Sequence, residues 1–112
     1  MNGLKKFDEV TPDDIRDWKA KYGEDSIRQV DVKTSDDKAL SFIARLPSRR
    51  VIDVMSEHNA AQKPAASAKA LINNCVLAGD MDAVENDGGV YNSLLSRLTE
   101  MVRVYDSEVK KL

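Results

Sequence analysis

The chain has 112 residues, of which 42% are hydrophobic and 32% charged, a composition that suits one globular domain and excludes a disordered segment. Nineteen acids against seventeen bases leave a formal net charge of −2, so the overall electrostatics give no case for a nucleic-acid partner. One cysteine, Cys75, excludes an internal disulfide, and no stretch approaches the eighteen or so apolar residues of a membrane span.

Residues 1–10 carry lysines but no apolar signal-peptide core, and they read as a flexible leader to a single domain over 11–112. A reducing, cytoplasmic compartment is expected. Thr11-Pro12-Asp13-Asp14 is a helix start: threonine caps, proline suits the first turn, and the aspartates face the positive end of the dipole. Ile15, Trp18 and Tyr22 share one helical face, and Gly23 ends the helix.

Two strands follow. Val30 and Val32 alternate with polar residues in 27–34, and Leu40, Phe42, Ala44 and Leu46 share one face in 39–46. The short polar link Ser35-Asp36-Asp37-Lys38 predicts a hairpin, and Pro47 closes its second strand. Ser48 caps a helix to about His58 that buries Val51, Ile52 and Met55. Pro64 opens another, with Ala68, Leu71, Ile72, Cys75 and Val76 on one stripe as far as Ala78, and Gly79 as its stop.

Residues 80–89 read as an acidic loop ending in the turn signal Asn86-Asp87-Gly88-Gly89. Tyr91, Leu94, Leu95, Leu98, Met101, Val102, Tyr105, Val109 and Leu112 then keep helical spacing to the last residue. The expected fold class is therefore α+β: an N-terminal helix, an antiparallel β-hairpin, then three helices including a long C-terminal helix. Its continuous apolar stripe suits the core of a monomer and the seam of a homo-oligomer equally.

Residues with chemical potential lack the partners that chemistry needs. His58 is the one histidine, and its nearest acid in sequence, Glu57, points elsewhere on a helix. Cys75 sits among Leu71, Ile72 and Val76, which raise a thiol pKa instead of lowering it. The run from Asp80 fails the EF-hand pattern, with Glu85 at the sixth place and Tyr91 at the twelfth. Gly88-Gly89 has no Lys-Ser or Lys-Thr after it, and Arg49-Arg50 is too short for a nucleic-acid patch. The reading is a non-enzymatic protein without cofactor or metal, although an acid–base pair of carboxylates assembled by the fold stays open.

One ordered set of motifs remains. Trp18-Lys19-Ala20-Lys21-Tyr22-Gly23 ends the first helix, ALSFIARLPSRR spans 39–50, and ALINNCVLAGD spans 70–80. Over 18–112 this combination resembles a family of small tail assembly chaperones of tailed phages and prophages. In that family a Lys-Tyr-Gly turn precedes a hairpin that runs into an Arg/Lys-x-Pro-x-Arg segment. A later helix carries an Asn-Cys-x-x-x-Gly-Asp-like signature, here Asn74 to Asp80. The alanine-rich link Ala60 to Ala66 departs from the shorter, more charged link of the family.

The resemblance implies a chaperone that binds the tape-measure protein while the tail tube assembles around it. A small phage structural or head–tail completion protein, or a generic interaction module, is the alternative. Apolar residues off the main faces are the candidate partner surface: Ile43 opposite the Phe42 face of its strand, Val90 at the start of the last helix, and Val104 off its main stripe.

Overall fold

The structure, a computed structural model, describes residues 4–35, 37–102 and 107–112. Its α+β architecture is built on a hairpin of β1 (Ile27–Ser35) and β2 (Lys38–Arg45). The strands pair antiparallel, with Val30 opposite Phe42 and Val32 opposite Leu40. Strand alternation places these four side chains and Ala44 on one face. Phe42 and Ala44 are fully buried there.

A third strand, β3 (Val76–Ala78), pairs antiparallel with β2, giving the order β1-β2-β3. This corrects the expectation of a helix running to Ala78. Helix α3 (Pro64–Cys75) stops at Cys75, and the next three residues lie in the sheet. The apolar run Cys75-Val76-Leu77-Ala78 is compatible with either periodicity, and the open edge of β2 settles it by taking the backbone hydrogen bonds.

The first helix, α1 (Pro12–Tyr22), has the expected capping box. The Thr11 hydroxyl accepts from the Asp14 N–H at 3.1 Å, and Asp14 accepts from the Thr11 N–H at 3.0 Å. That Thr11 bond first, and then Lys5, holds the Asp14 carboxyl below its ordinary 3.8. The cap is thus favoured above that pH and is lost as the pH falls through the lowered folded value.

Ser48 caps α2 (Arg49–Ala60), and only Ala61, Gln62 and Lys63 separate it from α3. The Lys63 N–H bonds the His58 carbonyl and the Gln62 N–H bonds the Asn59 carbonyl, which is a Schellman closure. Gln62 occupies its left-handed position, with φ 60°. The alanine-rich link of the sequence is therefore mostly helix end and helix start.

The expected acidic loop is instead a short helix, α4 (Met81–Asn86), capped by Asp80 and burying Met81 and Val84. Asp87 caps the last helix, α5 (Gly88–Met101), by accepting from the Gly89 and Val90 N–H groups. Leu94 and Leu98 reach full burial. The helix ends at Met101, not at Leu112 as its periodicity suggested, and residues 107–112 have no regular structure. Val109 and Leu112 are fully exposed.

Helices α2 to α5 close one face of the sheet over a core of Val30, Phe42, Val51, Leu71, Leu94 and Leu98, among others. The N-terminal segment packs against β2 and the β3 end of the sheet, which corrects two expectations. Residues 4–10 are tied to the domain. Leu4 packs on the core, Phe7–Glu9 form a 3-10 turn in contact with β2, and the Lys5 carbonyl accepts from the Gly79 N–H at 2.8 Å. Ile43, expected on an outward partner surface, is 4% exposed, in the central strand and paired with Ala78 of β3.

Gly79 has φ 146°, and a Cβ there would lie 2.1 Å from Phe42 Cδ1. Gly79→Ala combines backbone strain with overpacking and is expected to cost about 2–5 kcal/mol in urea unfolding. Gly88→Ala, with nothing within 4 Å of the added methyl, is expected to lie within about 1 kcal/mol of the parent chain. Gln62→Gly should stabilise by about 1 kcal/mol, since it removes the left-handed penalty of a side chain. Equal unfolding midpoints for the two glycine variants would contradict the Phe42–Gly79 contact.

Candidate functional site

The motif residues converge in space, and they form a joint. The Arg45 guanidinium stacks 4.6 Å from the centroid of the Tyr22 ring. Its Nε donates to the Asn74 carbonyl at 2.9 Å, placing a cation at the C-terminal end of α3. One side chain thus ties the end of α1, strand β2 and the α3–β3 corner together. Cys75 follows Asn74 and is fully buried. Burial pushes its thiol up from 9.0, against a smaller opposing effect of Arg45. The thiol is a core residue here, and the Asn-Cys-x-x-x-Gly-Asp run marks a chain reversal from helix to edge strand.

The surface feature with room for a partner lies next to this corner. Helices α3, α4 and α5 leave an open cleft of about 600 Å³ between them. Ile72, Met81 and Val84 supply its apolar side, and Tyr91 of α5 also lines it. Lys69 stands on the α3 wall and Glu85 on the α4 wall. Ile72, Asn73 and Met81 also line a smaller recess of about 260 Å³ with Leu4 and Val76, so the apolar strip continues toward the N-terminal segment. The volume falls in the range of roughly 300–1,000 Å³ that small-ligand sites occupy, but its open shape suits a side-chain row better than an enclosed ligand.

The residues singled out in the sequence do not form this cleft. Ile43 is 4% exposed beside Ala78 in the sheet, and Val90 is 2% exposed because the Asp87 cap turns the first residues of α5 into the core. Both leave the candidate partner surface, and Val104 lies outside the described residues. His58 is half-buried near the end of α2, and Arg49 pairs with Asp53 at 3.7 Å on the surface of the same helix. Among the described residues no group of three or more His, Cys, Asp or Glu could hold a metal ion.

What the sequence reading missed is α4, whose Met81 and Val84 make one side of the cleft. Its signal was present in Asp80, a capping residue, followed by apolar residues three apart. The density of acids around them hid it.

Comparison with protein-family models, curated proteins and solved structures finds no match to this chain. Among the described residues no helix is long and apolar enough to cross a membrane.

The buried thiol gives a direct check on the joint. Cys75 should resist alkylation by iodoacetamide in the native chain and react fully in denaturant. The raised folded pKa also means that stability falls as the pH climbs from 9.0 toward the folded value, because only the unfolded thiol ionises there. Rapid native labelling at neutral pH would show that the α3–β3 corner is open.

Proposed function

We propose that the chain is a non-enzymatic binding module for an amphipathic helix, and that it serves as a tail assembly chaperone for the tape-measure protein of a tailed phage in the host cytoplasm. The observation that supports this reading is the open apolar cleft of α3, α4 and α5. Its apolar floor and charged walls match what one face of an amphipathic helix presents, with apolar residues at i, i+3, i+4 and i+7 and polar flanks. The motif order over 18–112 supplies the kind of client. A tape measure is long, helical and apolar on one face before the tail tube closes around it. A chaperone must leave as that happens, so modest affinity set by a fast off-rate is the appropriate regime.

Calorimetric titration with overlapping helical peptides of the tape-measure protein from the same phage tests the reading. At least one peptide should bind with a negative heat-capacity change, the signature of apolar burial. Ala65→Arg with Asn73→Arg places two long cations on exposed positions lining the cleft. This variant should weaken binding about tenfold or more while the unfolding midpoint stays unchanged. Absence of binding to every segment, or recovery of the chain as a component of finished virions, would move the reading to a structural phage protein.

A further inference from the structure

Strand β1 is one edge of the sheet, whose order is β1-β2-β3. The Leu46 N–H donates to the Ser26 carbonyl at 2.8 Å, directly across the hairpin in the register that sets Ile27 opposite Arg45. Antiparallel pairs alternate between bonded and unbonded. Arg28, Val30 and Val32 therefore bond to β2, while Gln29, Asp31 and Lys33 turn their N–H and C=O groups off the open edge. None of these outward groups has a backbone partner among the described residues. We propose that this edge pairs antiparallel with the same edge of a second copy, joining two three-stranded sheets into one across a two-fold axis at Val32.

Charge selects the occupant and the register. Asp31 and Lys33 are exposed and, two apart, share the strand face opposite buried Val30 and Val32. Neither takes part in an ion pair among the described residues. Gln29 Nε2 at 2.9 Å and Ser41 Oγ at 2.7 Å both donate to Asp31 Oδ1, which holds the carboxylate in place and leaves Oδ2 for a partner. With Val32 on the axis, Asp31 of each copy stands directly opposite Lys33 of the other. Two cross-strand ion pairs form, and the four N–H and C=O groups of Asp31 and Lys33 in each copy are bonded across the joint. Registers that keep the outward groups paired differ by a two-residue slide of one strand. Sliding one way or the other sets Asp31 against Asp31 or Lys33 against Lys33. The sequence of this edge is thus complementary to itself in one register.

The edge is also unguarded. Strand β1 has no proline, and its irregularity in register comes only after Lys33. Two open recesses, of about 420 and 260 Å³, lie between β1 and α5. Asn92 and Ser96 face Val32 and Lys33 in the first, and Glu100 and Met101 face Arg28 and Val30 in the second, so α5 runs antiparallel to β1. A two-fold axis at Val32 brings the two α5 helices past each other at Ser93 and Ser96, whose small exposed side chains leave room for the approach. A two-fold contact uses up both edges and stops at the dimer. It leaves the cleft of α3, α4 and α5 free, so the dimer and the client-binding reading stand or fall separately.

Sedimentation equilibrium of the full chain over about 1 μM to 1 mM, with amide hydrogen exchange at both ends of that range, is the test. The parent chain should show a reversible monomer–dimer equilibrium, and the Asp31 and Lys33 amides should exchange at least about tenfold more slowly where the dimer dominates. Lys33→Asp sets like charges opposite each other twice and should raise the dimer Kd at least about tenfold, as should Asp31→Lys. Both positions are exposed, and an unchanged unfolding midpoint confirms that each variant keeps the fold. Combining the two restores opposite charges across the joint and should bring the Kd back to within about threefold of the parent. A parent chain that stays monomeric throughout overturns the proposal. So does a dimer whose Asp31 and Lys33 amides exchange as fast as in the monomer, or one indifferent to both charge reversals. Protection of these amides only when a tape-measure peptide is added would assign the edge to an extended client and overturn self-pairing.

Discussion

The contact between the Phe42 ring and the backbone of Gly79 is the constraint on which the rest of the structure depends. Phe42 is the largest fully buried side chain among the described residues, and it stands in the sheet face that the four later helices cover. The chain must pass directly over it when it leaves β3 for α4. No side chain fits at that crossing, and the left-handed φ of Gly79 excludes most residues independently of space. Because the crossing is so close, β3 lies at hydrogen-bonding distance from β2, and Asp80 is delivered where it caps α4. The same glycine donates its N–H to the Lys5 carbonyl, so the reversal also anchors the N-terminal segment.

Arg45 plays a comparable part at the other end of that corner. Its position beside Tyr22 and against the last carbonyls of α3 fixes the direction in which α3 enters the sheet. The cleft is a consequence of that direction. With α3 held at its C-terminal end and α5 started by the Asp87 cap, the short α4 spans the gap without filling it. Ile72, Met81 and Val84 contribute to the core on one side and to the cleft on the other. A surface built this way is held in shape by core packing.

Motifs that suggest a family by their order are here the points where the backbone turns under tight steric control. Lys21-Tyr22-Gly23 ends a helix and supplies a ring for Arg45, and Asn74 to Asp80 turns a helix into a strand and back into a helix. None of these residues needs to touch a partner for its identity to matter. The residues that line the cleft, by contrast, sit on α3, α4 and α5 as ordinary Ala, Ile, Met, Val and Tyr. Ile72, Met81 and Val84 are core residues whose outer edges reach the cleft, and nothing in their local pattern marks that edge.

By itself the sequence determined the α+β class, the hairpin, the caps at Thr11 and Ser48, and the burial of Val30, Phe42, Leu71 and Leu94. Each follows from periodicity or capping chemistry within a few residues. Tertiary structure alone decided that Val76–Ala78 is a strand, because a short apolar run takes whichever hydrogen-bond partner the fold offers, and here that is β2. It decided that Ile43 and Val90 are buried, since the burial of a residue depends on what distant segments pack around it. It also decided that α5 ends at Met101 although the apolar stripe continues. A stripe persists as helix only where packing covers it, and beyond Met101 the described segment has no such cover.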